Sequence, residues 1–232
     1  MINRPQMEDI THEIVYFKYC GEVNTEKLLT LAKKRSIALG IRKVVIASET
    51  GRSALSAVTI FKSTATQLIV VTHPPATTWG PHGDIPIGLK RKEYAETLKA
   101  LEENGVNIVQ GTRPFAPPSR MIKWEFPTPE AMVDKALELF GAGTKIAIEV
   151  AVMATDSGAV EEGEEIITCA GTFKGLDTAL LVRATSSMNF FPDFEIHEII
   201  ARPRFRVRKL PEYEFEDWKG DLEKYYSALK PA

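Results

Sequence analysis

Apolar and polar positions along this chain switch between two periods. Lys43-Val-Val-Ile-Ala47, Gln67-Leu-Ile-Val-Val-Thr72 and Thr178-Ala-Leu-Leu-Val-Arg-Ala184 are short apolar runs, as expected of strands buried on both faces. Between and around them the spacing becomes helical. After Asn24 or Thr25, residues Leu28, Leu31, Ala32 and Leu39 form a stripe closed by Gly40. Ala54, Leu55, Val58 and Phe61 form a second stripe, and Lys92 to Asn104 a third that ends at Gly105. Thr128-Pro129-Glu130 opens a further helix, with cap and proline in their favoured places, that stops at Gly141. Thr144 is expected to cap a helix over Lys145 to Ser157 that is apolar nearly all round and therefore central. Glu13 to Phe17, Val106 to Gln110, Glu165 to Cys169 and Phe194 to Ile200 complete the expected strands.

Strand, helix, strand in repetition implies an α/β fold, a mostly parallel sheet covered by helices. Residues 170–177 are too few for a crossover, so the strands on either side must be antiparallel neighbours. The expected architecture is a three-layer α/β/α sandwich whose mostly parallel sheet carries one antiparallel hairpin. Residues 73–91 read as a long irregular loop or lid. From Pro211 to Ala232, Trp218, Leu222, Tyr225 and Leu229 recur at helical spacing, as in a tail that packs on the body or on a second subunit. No repeat or linker interrupts the chain, which reads as one domain over 1–232.

Composition narrows the function classes. The 232 residues are 44% hydrophobic and 26% charged, with a net charge of −2, so no basic footprint for nucleic acid is present. No run approaches membrane-spanning length, and residues 1–12 lack an apolar leader region. Cys20 and Cys169 form neither a disulfide framework nor a metal set, consistent with structural thiols in the cytoplasm. His12, His73, His82 and His197 fall in separate elements without metal-ligand spacing, and Ser53 has no evident base. No catalytic constellation is legible.

The chemistry concentrates at two turns. Ser48, Glu49, Thr50, Gly51, Arg52, Ser53 and Ala54 carry a buried strand into a helix, where the first backbone N–H groups lack intrahelical partners and the dipole favours an anion. Hydroxyls and a guanidinium surround this candidate phosphate seat, although Ser and Thr are also ordinary helix caps. Gly171, Thr172, Lys174, Gly175, Asp177 and Thr178 make a second glycine-containing loop, which by itself is equally an ordinary hairpin turn. Thr72, His73, Gly111 and Thr112 follow other strands, whose ends border the crevice where open α/β sheets bind ligands.

Ile46-Ala-Ser-Glu-Thr-Gly-Arg-Ser-Ala54, followed by a helix and Leu68-Ile-Val-Val-Thr72, is similar to the C-terminal domain of pyruvate kinases. Cys169-Ala-Gly171 and Asp177-Thr-Ala-Leu-Leu-Val182 resemble that domain's effector-loop hairpin. The resemblance implies that both loops wall one pocket for a phosphorylated ligand. With Gly111-Thr-Arg113, Val150-Ala-Val-Met-Ala154 and the stretch Asn189 to Pro203, the chain resembles the stand-alone pyruvate kinase α/β-domain-like proteins, which implies FMN as the cofactor. A flavin-binding or sensing role is then expected, with a small FMN-dependent oxidoreductase or a sugar-phosphate sensor as alternatives. Nothing upstream of residue 40 supplies a catalytic barrel, so pyruvate kinase activity is not expected.

Overall fold

The computed structural model describes residues 10–79, 85–115 and 128–206. In chain order the elements are β1 (Val15–Phe17), α1 (Thr25–Leu39), β2 (Lys43–Ala47), α2 (Arg52–Phe61), β3 (Gln67–Thr72), β4 (Thr78–Trp79), β5 (Ile85–Pro86), α3 (Ala95–Glu103), β6 (Asn107–Gln110), α4 (Pro129–Glu138), α5 (Ala142–Asp156), β7 (Glu165–Ala170), β8 (Thr178–Arg183), α6 (Phe190–Asp193) and β9 (Glu195–Pro203). Seven strands form one sheet in the order β1-β9-β8-β7-β2-β3-β6. Neighbours are parallel except where β8 meets β7 and β9, so β8 alone runs against the rest. This is the α/β fold that the sequence implies, with its antiparallel hairpin at β7–β8.

The continuous apolar runs are explained by burial on both faces. Val44, Ile46, Val70 and Ile167 pack under α1, α2 and α3 with Leu28, Leu29, Ala57, Phe61 and Leu101. Val45, Ile69, Val71, Ile166, Leu180 and Val182 pack on the opposite face with Ala147, Ile148, Ala151 and Ala154 of α5. Because side chains alternate along a strand, both sets must be apolar. Leu28 and Leu29 are fully buried, each stabilising the fold by about 1.5–3 kcal/mol relative to exposure.

Local chemistry sets several boundaries. Gly40 takes the left-handed conformation (φ 69°) and closes α1, its N–H donating to the Ile37 carbonyl. Thr128 Oγ1 accepts from Ala131 N at 3.2 Å, capping α4 with Pro129 at its first position. Thr144 does not cap α5. The helix starts earlier, at Ala142 after Gly141, and the Thr144 hydroxyl donates to the Phe140 carbonyl. Its first turn packs against the loop after β7: a Cβ at Gly143 would collide with Thr178 and with Asp177 Oδ1.

Segment 73–91 is less irregular than its composition suggests. Thr78–Trp79 and Ile85–Pro86 form a small antiparallel pair, and Ile85, Ile87 and Leu89 are buried. Leu89 N donates to Thr72 Oγ1 at 2.9 Å, which anchors the segment to the end of β3. The helical tail expected from 211 onward lies outside the described residues.

Candidate functional site

Since every sheet strand but β8 points the same way, the chain leaves β2, β3, β6 and β7 at one edge of the sheet. All the residues expected to bind a ligand therefore gather along that edge. β2 lies between β7 and β3, with α2 covering one face and α5 the other. This reversal of winding is where ligands sit in open α/β sheets.

The turn after β2 is rigidly built. Ser48 N donates to Val71 O at 3.0 Å, and Gly51 adopts φ 81° as the residue preceding α2. Gly51 is required by packing, because a Cβ there would meet Thr97 and Leu89. Among the described residues no side chain caps α2, so the first-turn amides of Arg52 and Ser53 have no intrahelical partner. Ala54 itself faces the core, while Thr50 and Ser53 are half-buried.

Glu49, Thr72 and His73 form a brace between neighbouring strand ends. Glu49 Oε2 accepts from Thr72 Oγ1 and His73 N, both at 3.1 Å. Glu49 Oε1 lies 2.5 Å from His73 Nδ1, and a carboxylate only accepts, so Nδ1 carries the proton. The Thr72 hydroxyl also accepts from Leu89 N, which uses up its donor and one lone pair. This brace positions the turn and does not open onto the hollow beside α2.

That hollow, about 210 Å³, is lined by Glu22, Val23, Thr25, Glu26, Arg52, Ser53 and Ser56. The first turns of α1 and α2 both border it. Arg52 Nη2 contacts Glu22 Oε1 at 2.7 Å, and Lys174 Nζ contacts Glu22 Oε2 at 3.1 Å. Cations from the two loops singled out in the sequence thus meet at a single carboxylate. Glu22 carried no signal in the sequence. Its position follows from Gly21 (φ 82°) before it and from Gly175, whose missing side chain lets the loop touch the Glu22 backbone.

The loop from Gly171 to Thr178 is folded around Asp177. Asp177 Oδ2 accepts from Gly21 N at 2.7 Å and Thr172 N at 3.1 Å, and Oδ1 accepts from Thr178 Oγ1 at 2.9 Å. Burial lifts this carboxyl above the usual range despite those bonds. Leu176 N donates to Thr25 Oγ1, tying the loop to the start of α1. A Cβ at Gly171 would collide with the Gly175 carbonyl. Phe173 at the tip has φ 62°, and Lys174 N donates to Thr172 O at 2.7 Å, a tight turn that projects Lys174 toward Glu22.

Gly111 and Thr112 stand farther along the edge, beyond β3. Gly111 N donates to Thr72 O, and a Cβ at Gly111 would press on Met153. Neither lines the hollow. Behind them lies a second cluster, in which Arg113 pairs with Glu149 at 3.1 Å and Lys145 with Asp134 at 3.2 Å. Glu149 is fully buried within α5, and Glu149 Oε1 and Asp134 Oδ1 have no hydrogen-bond partner among the described residues. Desolvation raises the Glu149 carboxyl, outweighing Arg113 and Lys145. Sequence spacing pairs Glu149 with Lys145; the fold instead brings Arg113 to it from the end of β6.

Among the described residues no group of three or more His, Cys, Asp or Glu side chains has the arrangement of a metal site. Cys20 and Cys169 are buried and form no disulfide, and burial pushes the Cys169 thiol up to about 12. No helix among the described residues is long and apolar enough to cross a membrane.

The family described as pyruvate kinase, alpha/beta domain, matches residues 26–182, from the first turn of α1 into β8. The chain belongs to that family. The matched span of this pyruvate kinase alpha/beta domain contains the turn after β2, the loop after β7 and the helices between them. Glu22, β1 and β9 lie outside it.

Proposed function

We propose that the hollow between α1 and α2, on whose rim Lys174 of the Gly171–Thr178 loop reaches Glu22, binds the phosphate of a small phosphorylated molecule, with FMN as the first candidate, in a binding or sensing role. The observation that carries this reading is the convergence of Arg52 and Lys174, from two separate loops, on one anionic group. The Glu22 carboxylate stands where a phosphate oxygen would. Free first-turn amides of α2 and the Ser53 hydroxyl add neutral donors beside it. This donor set fits a phosphate ester. A flavin ring would lie outside the hollow along the strand ends and would supply hydride or electron chemistry when bound.

A second reading is a sugar phosphate, because the two cations and the hydroxyls recognise the ester rather than the group that carries it. Purified protein that is yellow and releases FMN on denaturation supports the first ligand. Colourless protein that gains thermal stability with a sugar bisphosphate supports the second. Arg52→Ala is expected to weaken FMN binding by about tenfold to a hundredfold, the value of a charged hydrogen bond, and riboflavin binding little. Equal loss for both compounds, measured by fluorescence titration, would place the phosphate elsewhere.

A further inference from the structure

If the phosphate reading holds, Glu22 has a role of its own. It holds both cations at once, although it is joined to the family's matched span only by the turn into α1. Its side chain is about one-quarter exposed and borders the same hollow, so it can swing into solvent without disturbing the core. Lys174 is the more enclosed of the two cations, and Arg52 the more exposed. An anion that bridges the two cations must take the place of this carboxylate between them.

We infer that Glu22 is a specificity-determining residue, an internal competitor that admits dianionic phosphate esters and turns away monoanions. The argument is one of charge. A monoanion that replaces Glu22 exchanges one unit charge for another and gains almost nothing. A phosphate ester near pH 7 carries about −1.5 to −2 charges and three acceptor oxygens, so it attracts the two cations more strongly and engages the amides of α2 as well. Glu22 also lowers apparent affinity for every anion by the fraction of time it occupies the position. Glu102, exposed on α3 and absent from the lining of the hollow, serves as the control for removing one surface carboxylate.

The experiment compares the unaltered protein with Glu22→Gln, Glu102→Gln and Arg52→Ala. FMN and inorganic phosphate are titrated, and thermal shifts are recorded in phosphate, acetate and chloride at matched ionic strength. Glu22→Gln is expected to bind FMN and phosphate about three- to tenfold more tightly, which corresponds to releasing one partly exposed ion pair. It is also expected to gain thermal stability from acetate, which the unaltered protein does not. Glu102→Gln should change affinity less than twofold. If Arg52→Ala weakens FMN or phosphate binding while Glu22→Gln leaves affinity unchanged or lowers it, the role of Glu22 is overturned and the phosphate site stands. If neither ligand binds the unaltered protein or Glu22→Gln, both proposals fall. A circular-dichroism melt of each variant checks that it is folded.

Discussion

Asp177 shows how a residue that sequence marks as a ligand candidate also holds the site's frame. Its carboxylate gathers Gly21 N, Thr172 N and the Thr178 hydroxyl, which join the segment before α1 to the loop after β7. Asp177→Ala leaves two buried N–H groups unpaired and is expected to cost about 3–5 kcal/mol in chemical denaturation. Asp177→Asn should recover most of that loss, since its amide oxygen can serve both N–H groups and the Thr178 hydroxyl can rotate to accept from the amide nitrogen. A variant Asn no better than Ala would show that the negative charge itself is what the loop requires.

Within elements, α5 carries the most unusual chemistry. A mostly apolar helix places Glu149 in the interior, answered on one oxygen by Arg113 and on the other by no partner among the described residues. Because burial raises this carboxyl in the folded state, the native protein binds its proton more firmly than the unfolded chain does. The resulting stability is present below the ordinary Glu value of 4.5 and is lost as pH rises through the raised native value. Denaturation of the unaltered protein and of Glu149→Gln at pH 5 and pH 8 tests this. The unaltered protein's stability relative to the variant should fall from the lower to the higher pH, by about 1.4 kcal/mol for each unit of upward shift. A difference that stays constant or grows with pH would refute the assignment.

Across the whole molecule, β2 is the hinge of the architecture, with Val44 and Val45 packed into different cores. Val44→Ala and Val45→Ala are each expected to remove about 1–3 kcal/mol, a smaller deletion than Leu→Ala at comparable burial, within one cooperative transition. Two separate transitions by circular dichroism and intrinsic fluorescence would show that the faces unfold independently. The same strand delivers the Ser48–Gly51 turn to the edge, so the stability of the core and the placement of the ligand loops are coupled through it.

What the sequence determined by itself was whatever depends on neighbours along the chain. Buried strands appear as apolar runs, helix ends as Thr128-Pro129 and Gly40, and the antiparallel β7–β8 hairpin as a connection too short for any other pairing. The turn after β2 and the loop after β7 were legible as donor-rich segments for the same reason. Tertiary structure alone decided which charges meet. Glu22 closes between Arg52 and Lys174, Arg113 pairs with Glu149 while Lys145 pairs with Asp134, and Gly143 packs against Asp177 and Thr178. These are contacts between distant segments, fixed by the packing of helices on the sheet, and no local period or cap encodes them.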